Sequence, residues 1–227
     1  MPIDHKIARQ TLDREFTAQE EGALRNQVQG LADGQLAEQL IEVFSSKTLA
    51  YREVLLGCLL AKLQDPTIDV HKPYKGHGQN SYNGRTLDEE VVNPFLHDKR
   101  IPSTKGPFLS KFRRSVGFEA STKTGTRDKK AFDSFISIVD RIDESNEKEL
   151  TELLAFALYN FVQVRDAAEV PLARLQRMSL EQYDSLIDAL LATPSGGRFP
   201  VIFIAATFTA ISEAFKLAWR LTSKAST

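Results

Sequence analysis

Leu49-Ala50-Tyr51-Arg52-Glu53-Val54-Leu55-Leu56-Gly57-Cys58-Leu59-Leu60-Ala61-Lys62-Leu63 decides the fold class. Its leucines recur at spacings of three, four and seven, which stack on one helical face and do not alternate as a half-buried strand requires. Working back toward the N-terminus, the same period runs through Leu36, Leu40, Ile41 and Phe44, and before them Leu24, Val28 and Leu31. The chain from Ile3 to about Leu63 therefore reads as three or four helices. Thr17 with Glu20 has the spacing of a reciprocal capping box, and Asp33-Gly34 marks a break.

Working forward, the period stops at Gln64. Asp65-Pro66 and the run Lys72-Pro73-Tyr74-Lys75-Gly76-His77-Gly78-Gln79-Asn80-Ser81-Tyr82-Asn83-Gly84 are rich in turn formers and read as a long loop. Loops of this length inside a compact domain are usually functional or disordered, and two tyrosines with amide and basic side chains favour function. Thr86 and Glu89 predict the next helix start, with Leu87, Val91 and Phe95 as its buried stripe and an end before Ile101-Pro102. A loop at Lys105-Gly106-Pro107, an apolar-basic segment from Phe108 to Phe118, and a Thr/Lys/Gly-rich stretch from Ser121 to Arg127 follow. Helices resume over Ala131–Ile142, Glu147–Val164, Leu180–Leu191 and Phe199 to about Leu221. Asn146 with Glu149 and Ser179 with Gln182 are again capping-box spacings, and Pro200 suits a first turn. Val201 to Ser212 is very apolar, but Glu213 and Lys216 interrupt it too early for a membrane span.

The expectation is an all-α protein, one globular unit of three parts: residues 1–63, a basic loop and helix insert at 64–130, and 131–227. A chain of 227 residues with 42% hydrophobic and 26% charged residues has the composition of an ordinary globular domain, which excludes collagen-like and wholly disordered classes. One cysteine, Cys58, allows neither an internal disulfide nor a multi-cysteine zinc site, and its apolar neighbours mark an inert core thiol. The start Met-Pro-Ile-Asp-His-Lys has no secretory pattern, so a cytoplasmic location is expected. His5, His71, His77 and His97 lack metal-ligand spacing; phosphate or base contact is the better reading for His71 and His77. Gly76-x-Gly78 lacks the strand-loop-helix setting of a nucleotide fingerprint, and Ser195 lacks a nucleophile elbow.

Charge is segregated. Between Lys72 and Lys130 stand 13 basic and six acidic side chains, an excess of seven positive charges in a chain whose net charge is -1. Gathered on one face, such an island concentrates phosphates and steers a polyanion. The candidate DNA contacts are Lys72, Tyr74, Lys75, His77, Asn80, Tyr82, Asn83, Arg85, Lys99, Arg100, Lys105, Lys111, Arg113 and Arg114. Lys111, Arg113 and Arg114 suit phosphates; Asn80, Asn83 and Arg85 suit base edges. The alternatives are that Tyr74 and Tyr82 pin the loop to the core, and that Arg85 pairs with Asp88 or Glu89 at a helix start.

Asp65-Pro66-Thr67-Ile68-Asp69-Val70-His71-Lys72-Pro73-Tyr74, then Ser81-Tyr82-Asn83-Gly84-Arg85-Thr86-Leu87-Asp88-Glu89, Pro94-Phe95-Leu96 and Ile101-Pro102 resemble type II restriction endonucleases of the SacI family. The resemblance covers Leu63 to Arg114, with a weaker echo at Ser195-Gly196-Gly197-Arg198-Phe199-Pro200. It implies sequence-specific recognition of double-stranded DNA coupled to metal-dependent cleavage in restriction-modification and anti-phage defence. Such hydrolysis needs clustered carboxylates and a lysine on a strand pair, and no such constellation is visible. Asp128-Lys129-Lys130 and Glu147-Lys148-Glu149 open helices, and Glu213 fits an i, i+3 pair with Lys216.

The chain stops about where similar proteins begin a catalytic half. The reading is therefore a DNA-binding protein or subunit with no cofactor of its own, Mg2+ being required only by an assembled nuclease. Its partners would be double-stranded DNA and either a catalytic nuclease subunit or a second copy, with no membrane. The rivals are a helical protein-interaction subunit that does not touch DNA and a complete endonuclease with an atypical site. The last helix, with Phe203, Phe208, Phe215 and Trp219 as anchors, either packs on another subunit or forms the centre of this chain's own core.

Overall fold

The computed structural model describes residues 3–25, 30–110, 112, 117–119, 128–168, 180–192 and 198–216. Two compact units divide the chain, Met1–Val170 and Pro171–Thr227, where the sequence predicts one unit with internal junctions at 64 and 131. Every regular element among the described residues is a helix and none is a strand, as the leucine period requires.

In the first unit α1 spans His5–Leu24, α2 Gly34–Ser45 and α3 Ala50–Gln64. Asp4 caps α1 by accepting the amides of Lys6 and Ile7, and Asp33 caps α2 by accepting that of Leu36. Thr17 is not a cap. It lies inside α1, where its hydroxyl donates to the Asp13 carbonyl, because the apolar stripe Ala8, Leu12 and Phe16 carries the helix past it.

The short α4 (Gly84–Leu87) runs through a π turn, Asp88–Val92, into α5 (Asn93–Asp98). The sequence predicts one regular helix here, begun by Thr86. Instead Asn83 is the cap, accepting the Thr86 amide, and the Asn93 amide reaches back five residues to Asp88. Pro94 has no N–H to offer the carbonyl of Glu90, so widening the turn at this point sacrifices no bond that Pro94 could have made. The expected stripe of Leu87, Val91 and Phe95 is fully buried.

After α6 (Pro107–Ser110), α7 spans Lys129–Glu144 and α8 Glu147–Ala168. Asp128 caps α7 by accepting the Ala131 amide. Asn146 and Glu149 form the predicted reciprocal box, each accepting the other's amide at 3.1 and 3.0 Å.

Helix α3 is the axis of this unit, packed by α2, α7, α8 and the π turn. Even its charged members are sequestered: Arg52 donates to the Pro102 carbonyl at 2.7 Å, and Glu53 accepts the Thr104 amide and hydroxyl at 2.6 Å each. Around Tyr51 gathers an aromatic cluster of Phe108, Phe112, Phe118, Phe132 and Phe135, with centroids such as Phe112–Phe118 at 5.2 Å and Phe118–Phe135 at 5.4 Å.

In the second unit α9 spans Leu180–Ala192 and α10 Arg198–Ala214. On α10, Val201, Ile202, Ile204 and Phe208 are exposed, Phe203 is half-buried, and Phe215 just beyond it is 73% exposed. Within its own unit, α10 is thus not enclosed on all sides by the described residues. Trp219, Ser179, the Glu213 side chain and residues 195–197 lie outside the described residues. Among the described residues no helix is long and apolar enough to cross a membrane.

Candidate nucleic-acid interface

Residues 65–83 carry neither helix nor strand, yet they form a doubled excursion with a fixed base. Backbone bonds cross it from Asp69 to Asn80 (3.0 Å), Tyr82 to Lys72 (3.1 Å) and Gly84 to Pro73 (2.9 Å). Ile68, Val70 and Tyr82 are the apolar feet, at 2%, 0% and 4% exposure. At the far end the tip is turned by Gly76 and Gly78 at φ +106° and +100°, a region that side chains disfavour. Asn80, at φ 68°, shares that conformation.

A polar clamp fastens the base of the loop. Lys62 of α3 donates to the Ile68 carbonyl at 2.8 Å and to Asp143 of α7 at 2.9 Å, and Asp143 also accepts the Val70 amide. The His71 ring sits between Asp69 (3.2 Å) and Asp140 (2.8 Å), so it faces carboxylates and not the phosphate or base expected from the sequence. Burial would raise the Asp69 carboxyl, but hydrogen bonds from Lys72 and the His71 amide hold it below its ordinary value.

Asp69, His71 and Asp143 hold ligand atoms within 4.8 Å of one another. The site does not fit the Mg2+ that an assembled nuclease implies. Mg2+ takes a near-octahedral shell of oxygens and water, whereas this group includes an imidazole and is already neutralised by Lys62 and Lys72.

The structure separates the candidate contacts into two sets. Lys75, His77 and Asn80 are exposed at the tip, and Arg100 and Lys105 are exposed farther along the chain. Tyr74 instead donates its hydroxyl to the Phe112 carbonyl at 2.7 Å and sets its ring edge-on to Phe108. Tyr82 is buried with its hydroxyl 3.3 Å from Cys58 Sγ, and burial drives the pKa of that hydroxyl well above its ordinary value. Both tyrosines are therefore pins of the loop, the alternative role the sequence offered, because their phenol bodies fill the core beneath it.

Lys72 is spent on Asp69 at 2.6 Å, and Arg85 on Glu89 at 2.8 Å, the helix-start pair. Asn83 uses its side-chain oxygen as the α4 cap. Lys99 lies 5.3 Å from the Phe16 ring centroid and 3.8 Å from Asp13, both on α1. Lys111, Arg113 and Arg114 lie outside the described residues. Cys58 is the inert thiol expected: burial pushes it up to about 12.

Sequence reasoning missed Lys62, Asp140 and Asp143, whose partners in the loop stand six to 73 positions away along the chain. It also missed Gly84. A Cβ there would meet Phe108 Cζ at 2.9 Å and Pro73 Cβ at 3.0 Å, so only glycine lets the loop close against the segment that follows Lys105. The excursion that exposes Lys75 is thereby held next to α6.

No curated protein matches the chain. The family model described as the SacI restriction endonuclease N-terminal domain matches residues 8–165, from the middle of the first turns of α1 to the last turn of α8. The match reaches well beyond the Leu63–Arg114 stretch that carries the resemblance, and takes in the helices that clamp the loop. With an all-α core that carries that loop, the chain belongs to the family of SacI restriction endonuclease N-terminal domains.

Proposed function

We propose that this chain binds duplex DNA and reads its sequence on behalf of a restriction endonuclease, with cleavage performed by residues outside the chain. The observation that carries the reading is the loop tip: an excursion clamped at its base and offering Lys75, His77 and Asn80 to solvent in a protein of a restriction-endonuclease family. A clamped loop loses little further entropy on binding, which is what side chains that must meet base edges require. Lys105 adds a second positive charge next to α6, against which Gly84 and Tyr74 hold the loop. Phosphate contacts made by such lysines position the duplex, while Asn80 and the Asn83 amide hydrogens have the chemistry to read it.

The test is fluorescence anisotropy of the whole chain on a pool of random duplexes at two salt concentrations. Binding should fall steeply with salt. The Lys75→Ala, Lys105→Ala double variant should bind all sequences more weakly and lose about 1 unit of log-log salt slope for each phosphate contact removed. A folded protein that binds no duplex at either salt concentration would overturn the reading.

A further inference from the structure

Between the returning limb of the loop and the start of α1 lies a cavity of about 710 Å3. His5, Lys75, Ser81, Asn83, Thr86 and Ile3 are among its lining residues, and no carboxylate among the described residues is. Lys75, one of these lining residues, has no ion pair or hydrogen bond among the described residues, so its charge is not compensated by them. Asn83 accepts the Thr86 amide through Oδ1 at 3.2 Å, which leaves both hydrogens of Nδ2 to donate. Ser81 gives its hydroxyl hydrogen to the Gly78 carbonyl at 3.0 Å and keeps its lone pairs as acceptors. His5 turns Nδ1 to Glu90 at 2.7 Å and keeps Nε2 without a partner among the described residues. Where Gly76 and Gly78 form the wall, no heavy atom lies within 4 Å of where a Cβ would stand, so a ligand can approach bare backbone.

The lining offers two kinds of chemistry. An unpaired ammonium and amide donors in one lining suit a phosphate. A phosphate alone fills little of a cavity whose size is that of sites for much larger organic ligands. The Ser81 lone pairs and the open His5 ring nitrogen, with the apolar Ile3 in the same lining, suit a flat heterocycle with a polar edge.

We propose that the cavity takes one nucleotide unit, its phosphate toward Lys75 and Asn83 and its nucleobase toward Ser81, His5 and Ile3. The nucleotide has two sources. One is a free mononucleotide; the other is a nucleotide turned out of a duplex, which rests on the DNA-reading function proposed above.

Calorimetry on the whole chain tests this with the four deoxynucleoside monophosphates, the matching deoxynucleosides and inorganic phosphate. At least one monophosphate should bind about tenfold more tightly than either its nucleoside or phosphate, and Lys75→Ala should remove that advantage. Ser81→Ala, which disturbs no helix cap, should change the ranking of the four bases. A second arm compares a perfect duplex with one carrying a single unpaired nucleotide. Tighter binding of the latter, reversed by excess monophosphate, supports the cavity with DNA as its source.

Monophosphate binding with no duplex binding supports the cavity with a free ligand and overturns the DNA-reading function alone. Duplex binding without monophosphate binding at millimolar concentration, and without preference for the unpaired nucleotide, overturns the cavity proposal and leaves DNA reading intact. Phosphate binding as tight as the monophosphates overturns it as well.

Discussion

Asp88 is 4% exposed at the start of the π turn, with Oδ1 lacking a hydrogen-bond partner. Burial foremost, then the charges of Glu53 and Glu89, push its carboxyl up to about 7. In the unfolded chain an aspartate titrates near 4. Between those values the folded protein holds a proton that the unfolded chain has released, so this group's contribution to stability is whole below about pH 4 and is lost as pH rises to about 7. A displacement of about three units corresponds to roughly 4 kcal/mol. Urea melts of Asp88→Asn and the parent should therefore coincide near pH 4 and diverge in the variant's favour toward pH 7. A gap that does not change with pH would mean the carboxyl is ionised throughout.

Gly84 makes a second test at this scale. Gly84→Ala sets a Cβ against Phe108 and Pro73 and should cost about 1–3 kcal/mol, read as a lowered urea midpoint. Cys58 was legible from its apolar neighbours. Gly84 was not, because its constraint comes from Phe108, 24 positions on, and no local pattern announces that contact.

At the scale of elements, the apolar period was the reliable signal and the capping spacing was not. Asn146 and Glu149 close a true box because the chain before them is free to leave the helical path after the Ser145 cap of α7. Thr17 and Glu20 have the same spacing inside an unbroken stripe, and burial of Leu12 and Phe16 outweighs a cap by its larger free energy. Replacement of Asn146 by Ala should destabilise the protein by about 1 kcal/mol, measured as a lower midpoint in thermal or urea melts. Thr17→Ala should be nearly neutral in the same measurement, since the hydroxyl it removes only shadows a carbonyl already bonded within the helix. The loop's existence was legible from its turn formers, whereas its clamp was not. Lys62, Asp140 and Asp143 read as ordinary solvated helix charges until the fold brings the loop to them.

Across the whole molecule, the excess of basic residues between Lys72 and Lys130 is a property of the sequence, while the free positive charges are a property of the fold. Lys72, Arg85 and Lys130 are each paired with an acid, Lys130 with Glu42, and what remains open includes Lys75, Arg100 and Lys105. Hydrolysis of a phosphodiester by a restriction-type centre needs carboxylates with oxygens available to a divalent metal, beside a lysine that can face the attacking water. The described group that comes nearest, Lys62 with Asp69, His71 and Asp143, has these residue types but has already bound them to one another, and Asp143 also holds the Val70 amide that anchors the loop. Drawing a metal into it would require breaking the clamp on which the loop depends. The purified chain, incubated with plasmid DNA and Mg2+ or Mn2+, should therefore shift the DNA without cutting it. Site-specific nicking by the lone chain that disappears in Asp143→Asn, with the circular dichroism of the variant unchanged, would place a nuclease centre at the clamp and refute this division of labour.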